Sequence, residues 1–309
     1  MSRPRGSTLF AYLALSLTWG SSFFFIKISI AGLSPQQLVL GRLVLGAATL
    51  NLILLVTRRA WPREWGLIKH LGIVGFLLCV LPLLLFAWAA NYIPSGLSSI
   101  YNATTPLMTM VIGLALLPEE RLSGLRASGI VLGGIGIVMV LGPWHLVESF
   151  TTGPAQLACL LGTASYGLAF THLRRYVTGK YRYDAVTVAT VLVTLSAAMM
   201  VVVAPFVATG EVHVTGNILL SVLCLGVLAS GIAYIWNTRI VQDWGATPAS
   251  TVTYVSPLVG VALGIVVLDE TLSWNQPVGA LIVVLGILLS QGVIRASSAA
   301  RVPAAASRP

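Results

Sequence analysis

Ten apolar stretches follow one another along this chain, each about as long as a helix must be to cross a bilayer. They run at 8–31, 36–56, 67–92, 95–117, 123–141, 154–173, 185–206, 216–240, 246–268 and 275–294. Roughly 20 apolar residues are needed to span the hydrocarbon core. Lipid offers no partner for backbone N–H and C=O groups, so only helices or closed barrels can span it. Continuous apolar runs lack the alternation of barrel strands. The chain is therefore read as an all-α integral membrane protein. Composition agrees: of the 309 residues, 57% are hydrophobic and only 9% charged, whereas a soluble domain carries about a quarter charged residues. The first stretch is too long for a signal-peptide core and lacks a convincing cleavage site, so it counts as a span.

The net charge of +9 would fit a nucleic-acid partner if the basic residues shared one folded face. They lie instead in short gaps between spans, so no nucleic acid is expected. With the N-terminus in the cytoplasm, Arg58, Arg59, Arg63, Arg121, Arg174, Arg175, Lys180, Arg182 and the other loop and tail basic residues all fall inside. The outer loops then hold no Lys or Arg. This is the positive-inside pattern. It places a multi-pass protein in the cell (inner or plasma) membrane with both termini cytoplasmic. Residues 295–309, rich in Ala, Ser and Pro, read as a disordered cytoplasmic tail.

Half of the chain repeats the other half. Pro106-Leu107 through Glu120-Arg121-Leu122-Ser123, with Gly129 and Gly136, recurs as Pro257-Leu258 through Glu270-Thr271-Leu272-Ser273, with Gly279 and Gly286. Upstream, Trp19-Gly20 with Phe23 and Lys27 matches Tyr166-Gly167 with Phe170 and Arg174. Each unit holds five spans, at 8–141 and 154–294. Five is odd, so the second unit enters the membrane upside down. Inverted repeats recur in secondary transporters, where two opposed, similar halves alternate access to a site near the midplane.

The same residues resemble a known family. Trp19-Gly20-Ser21-Ser22-Phe23 with Lys27, Arg42 in the second span, and the two Pro…Glu…Leu-Ser…Gly stretches are similar to the EamA repeat of the drug/metabolite transporter superfamily. The likeness covers residues 10–292 or so, with two repeats in tandem. It implies ten transmembrane helices as two inverted five-helix EamA repeats around a central cavity. It also implies a role in moving amino acids or similar metabolites, commonly outward. The second half departs from the pattern at Ala189, which stands where an arginine equivalent to Arg42 would be, so a role for Arg42 does not carry over to that half.

Polar residues at helical spacing inside spans point away from lipid. Ser95, Ser98, Asn102, Thr105 and Thr109 form such a stripe with Tyr101 beside it, and Ser250, Thr253, Pro257, Gly260 and Gly264 repeat it beside Tyr254. Small polar residues are also interhelical glue, which accounts for about half of them. Trp19 and Tyr166 lie too deep for the interfacial aromatic belt, and their N–H and O–H groups need partners. Ser22, Trp88, Tyr101, Asn102, Tyr234, Asn237 and Tyr254 complete the expected substrate path, with belt residues as the competing reading for Trp88. Lys27 and Arg42 are the two intramembrane charges. Lys27 is near a span end, where it can snorkel. Arg42 lies deeper, with no acid in any span to pair with it. It either holds helix-end carbonyls or binds a ligand carboxylate through its planar fork. Pro82, Pro106 and Pro257 are expected to kink their helices. The GxxxG patterns at Gly129/Gly133 and Gly260/Gly264 allow close helix contact within a protomer or in a homodimer.

No Walker loop, nucleotide fingerprint or HExxH motif is present. Cys79, Cys159 and Cys224 sit in apolar stretches without paired spacing, and His70, His145, His172 and His213 are scattered at span ends. No cofactor, metal or enzymatic activity is expected. The partners are a small-molecule substrate and the bilayer. A channel-like facilitator is the alternative to a carrier, and a membrane enzyme is a weaker one. All nine acids fall in loops or at span ends, so no deeply buried carboxylate is expected to relay protons. Coupling would then follow the substrate gradient or act through a residue near a gate, such as Glu119 or Glu270.

Overall fold

A computed structural model describes residues 6–118, 120–144, 146–244 and 252–292. Glu119, Ser250 and the tail at 295–309 lie outside these residues. Every regular element among the described residues is helical. Seven helical stretches there are long and apolar enough to cross a membrane: Ser7–Ser29, Pro35–Val56, Trp65–Ala89, Ser95–Leu116, Gly124–Leu141, Ala185–Val207 and Gly216–Asn237. Val252–Leu268 and Asn275–Ser290 are apolar but shorter.

The elements in chain order are α1 (Gly6–Gly20), α2 (Ser22–Ser29), α3 (Pro35–Val56), α4 (Trp65–Gly75), α5 (Leu81–Ala89), α6 (Ser95–Asn102), α7 (Thr105–Leu116) and α8 (Gly124–Leu141). Then come α9 (Leu146–Tyr176), α10 (Ala185–Val207), α11 (Gly216–Leu223), α12 (Ala233–Trp244), α13 (Val252–Leu268) and α14 (Asn275–Ser290). Their ends follow local chemistry. Ser34 accepts the amide of Gln37 while the Gln37 side chain accepts the amide of Ser34, a capping box with Pro35 at the first helical position. Ser123, Asp184 and Thr215 cap α8, α10 and α11. Gly142 ends α8 at φ 58, a left-handed turn that costs glycine nothing.

The burial pattern suits lipid. Leu55, Val56, Phe206 and Val266 are largely exposed, whereas Thr163, Thr187, Thr190 and Ser196 are buried inside. A soluble protein distributes these types the other way.

Several spans are interrupted. The first bends at Ser21, between α1 and α2, and the fourth at Ala103–Thr104, just before Pro106. Wide π-helical turns occupy Phe76–Val80, between α4 and α5, and Cys224–Ile232, between α11 and α12. Pro82 follows the first of these, but the second contains no proline. Helix α13 continues through Pro257.

Helices of the two halves interleave: α3 packs on α10 and on the Cys224–Ile232 turn, α13 on α1 and α6, and α14 on α8. The α8–α14 contact is backbone to backbone. A Cβ on Gly129 would meet Gly286 O at 2.6 Å, and one on Gly136 would meet Val283 N at 2.7 Å. These glycines are thus used within the chain.

Candidate functional site

The interrupted spans converge on a cavity of about 450 Å³, within the roughly 300–1,000 Å³ typical of small-molecule sites. The bend at Ser21 brings Trp19, Ser22 and Phe23 to it from α1 and α2. Helix α3 contributes Arg42 and Leu43, and the first wide turn with α5 contributes Cys79 and Phe86. Asn102 and Thr105 enter from either side of the break in the fourth span, and Tyr166 from α9. The second wide turn supplies Ser230, α12 supplies Tyr234 and Asn237, and α13 supplies Thr253 and Ser256.

Arg42 is the charged group in this space. Its residue is 9% exposed, and insertion scales put an arginine at the membrane centre at ~2.5–3.5 kcal/mol. Among the described residues its side chain makes one hydrogen bond, from Nε to Ser230 Oγ at 2.9 Å. Neither helix-end carbonyl nor carboxylate takes the other nitrogens. Tyr166, Tyr234 and Cys79 are its electrostatic neighbours. Tyr166 stacks on Phe86 with ring centroids 6.2 Å apart. Trp19 donates Nε1–H to Ala229 O at 3.2 Å, so this deep indole has a partner in the wide turn. Ser22 donates back to Thr18 O, inside its own helix.

Seven of the sequence candidates thus share one cavity: Trp19, Ser22, Arg42, Asn102, Tyr166, Tyr234 and Asn237. Four lie elsewhere. Tyr101 is fully buried behind the wall, donating to Gln156 Oε1 at 2.5 Å. Tyr254 turns its hydroxyl to Gln291 Oε1 at 2.8 Å and packs against Leu107, Val283 and Ile287. Trp88 is on the outside with its ring 5.0 Å from that of Tyr92. Lys27 donates to Ala90 O at 2.6 Å and Ile93 O at 3.2 Å, closing the C-terminal end of α5. Cys79, Phe86 and Ser230 are cavity residues that sequence reasoning did not single out. Ser230 carried a faint signal, as a lone hydroxyl in an otherwise apolar run.

Two glutamates stand in the loops that follow α7 and α13. Glu270 follows a left-handed turn at Asp269 (φ 52) and donates its amide to Gly264 O at 3.0 Å. Its carboxylate accepts Ser95 N, Ser95 Oγ and Gly96 N, which are the orphan donors at the start of α6. Glu120 lies among arginines, accepting from Arg126 at 2.6 Å and Arg174 at 2.5 Å. Those two hydrogen bonds hold its carboxyl below the usual carboxylate range.

The EamA-like transporter family model matches the chain twice, at residues 6–142 and 153–291. The chain belongs to the EamA-like transporter family. It is accordingly a multi-pass membrane transporter and not an enzyme. A probable amino-acid metabolite efflux pump of Salmonella typhimurium is 26% identical, covering 98% of this chain and 99% of its own. Its counterpart of the same description in Escherichia coli is also 26% identical, over 94% and 96%. An uncharacterized transporter of Bacillus subtilis is 23% identical over 90% and 94%. A solved crystal structure matches 95% of this EamA chain and 100% of its own at TM-score 0.64 and 20% identity, a likeness of fold alone.

Proposed function

We propose that this EamA-family protein exports small metabolites, amino acids or related compounds, across the cell membrane by alternating access. In this reading ten helices form two inverted five-helix repeats, at 8–141 and 154–294, with both termini in the cytoplasm. The description of the Salmonella and Escherichia relatives as probable amino-acid metabolite efflux pumps supports the cargo and the direction. The two wide turns support the repeat, because each falls in the third span of its half. So does the reciprocal packing of Gly129 and Gly136 on Gly286 and Gly279.

One asymmetry carries the mechanism. Gly113 and Gly264 are repeat-related, each seven residues after its proline, Pro106 or Pro257. A Cβ on Gly264 would stand 2.3 Å from Glu270 Oε2, whereas one on Gly113 would meet, among the described residues, Leu117 Cδ1 at 3.9 Å alone. Glu270 is thus latched against its glycine and the α6 start, while Glu120, seven residues after Gly113 where Glu270 is six after Gly264, pairs with Arg126 and Arg174. A glutamate contact made in one half and not matched by Glu120 in the other is the kind of asymmetry that a carrier closed on one side shows. The cavity lining extends from Ile26 and Phe86 towards Asn237 and Phe170, near the arginine-rich face, which the positive-inside pattern makes cytoplasmic. The structure is then read as the inward-facing state.

Reconstitution tests this. Vesicles holding the purified protein should take up labelled amino acids or related metabolites above empty vesicles, saturably and with acceleration by unlabelled substrate on the far side. Flux that neither saturates nor shows such counterflow would leave a channel in place of the carrier.

A further inference from the structure

Among the described residues the cavity holds a fixed cation and no fixed anion, and from this we propose that its cargo is a small carboxylate anion on an apolar body, seated on the outer nitrogens of Arg42. The inference rests on the transport reading and narrows it. An amino-acid carrier as such would accept a zwitterion, whose ammonium group would meet hydroxyls and aromatic faces here but no countercharge to match the arginine. Among the described residues no Asp or Glu lines the cavity. The described acids sit at helix ends, where Glu120 pairs with arginines, Glu270 with α6 and Asp184 with α10 and Arg59.

Geometry favours a carboxylate over a bare charge. Ser230 Oγ takes Nε of Arg42 at 2.9 Å and fixes the guanidinium plane. Both terminal nitrogens donate to nothing among the described residues, although the residue is nine-tenths buried. A planar guanidinium presents parallel N–H bonds that match the two oxygens of a carboxylate. Binding would give this buried cation a partner, and leaving a buried charge unpaired is strongly unfavourable. The remaining wall explains the body of the ligand: Phe23, Leu43, Leu83, Phe86 and Val193 give an apolar surface. Asn102 and Asn237 add neutral polar groups that do not discriminate charge.

A matched series on the wild-type full-length protein tests this without relying on any variant to fold. The probes are phenylacetate, phenylalanine, phenylacetamide and 2-phenylethylamine, which share a phenyl body and differ in the head group. Affinity is read from the concentration dependence of the melting temperature at pH 7.5. Phenylacetate should bind at least about tenfold tighter than phenylacetamide, the loss expected when a charged hydrogen-bonding partner is removed. Phenylalanine should fall between them, and phenylethylamine should bind weakest. Arg42→Gln, shown to be folded by gel filtration, should abolish the preference for the acid over the amide, and Arg42→Lys should keep part of it. Equal binding of the acid and the amide, a preference for the amine, or no binding of the acid would each overturn the proposal. Labelled amino-acid flux without any acid-over-amide preference would overturn it while leaving the transport reading intact. Selective binding with no flux in vesicles would do the reverse.

Discussion

The carboxylate of Glu270 reaches 175 residues back along the chain to accept the backbone N–H of Ser95 at 2.7 Å and its hydroxyl at 2.8 Å. It therefore caps a helix of the other half, with the Gly96 amide as a third donor at 3.0 Å. A negative charge at a helix start gains from both the orphan donors and the helix dipole. Gly264 makes room for it, and Lys27 is its electrostatic neighbour.

Breaking this contact should release that end of the cavity. Glu270→Ala removes three hydrogen bonds and is expected to destabilise this conformation by about 1–2 kcal/mol, the range for losing a helix cap. Gly264→Ala should act in the same direction by pushing the carboxylate out. A single cysteine replacing Leu97, which is buried beside Gly96, should label faster with an impermeant maleimide in both variants. Unchanged labelling would mean that the contact does not hold the end closed.

The cavity separates residues that sequence spacing grouped together. Trp19→Ala and Tyr166→Ala should reduce transport at least tenfold in protein that still elutes as a folded species in gel filtration. Tyr101→Phe removes only the buried bond to Gln156, so it should cost about 1 kcal/mol of stability and leave the substrate affinity alone. Substrate affinity that follows Tyr101 and not Trp19 would put the site behind the present wall.

Two glycines on one helix give opposite outcomes. Gly136→Ala places a methyl 2.7 Å from the Val283 backbone, so α8 and α14 must part, at about 1–3 kcal/mol. Gly134 has nothing within 4 Å of the same position, and Gly134→Ala should be neutral or stabilising by up to ~1 kcal/mol. Thermal melting in detergent compares the pair.

Asp184 makes a pH prediction. Burial raises its pKa, but bonds from the Thr187 hydroxyl and amide, the Arg59 charge and the Val186 amide outweigh this and hold it below the usual value. A depressed folded value means that the cap is fully present above the unfolded pKa of about 3.9 and is lost as pH falls through the folded one. Asp184→Ala should therefore melt lower than wild type at pH 6–8, with the gap narrowing below pH 4. A gap independent of pH would assign the loss to packing.

Orientation is open to labelling. Single cysteines replacing Ser149 and Thr209 should react with impermeant reagents from outside, and those replacing Arg59 and Lys180 should not. The reverse pattern would invert the membrane placement and with it the assignment of the arginine-rich face.

The apolar spans were legible because each needs only enough hydrophobic length, and helix caps such as Ser34 and Ser123 are written locally. The cavity was legible where a residue was too polar or too deep for lipid: Arg42, Trp19, Asn102 and Tyr166 all declared themselves that way. Tyr101 and Tyr254 have the same character, but their hydroxyls found Gln156 and Gln291, distant glutamines that no helical periodicity connects to them. Cys79 and Ser230 were hidden for another reason. They lie in π-helical turns, where a face drawn at 3.6 residues per turn names the wrong neighbours.

Those wide turns make the count of residues as consequential as their identity. An α-helix turns about 100° per residue, so removing one apolar residue from Cys224–Ile232 and letting the helix close would swing Tyr234 and Asn237 about a quarter-turn away from Arg42. The deletion would change neither the charge nor, to any useful degree, the hydropathy of the span. Two proteins with indistinguishable membrane profiles could then present different walls to their cargo. A one-residue gap in an alignment of this span would mark a change of selectivity.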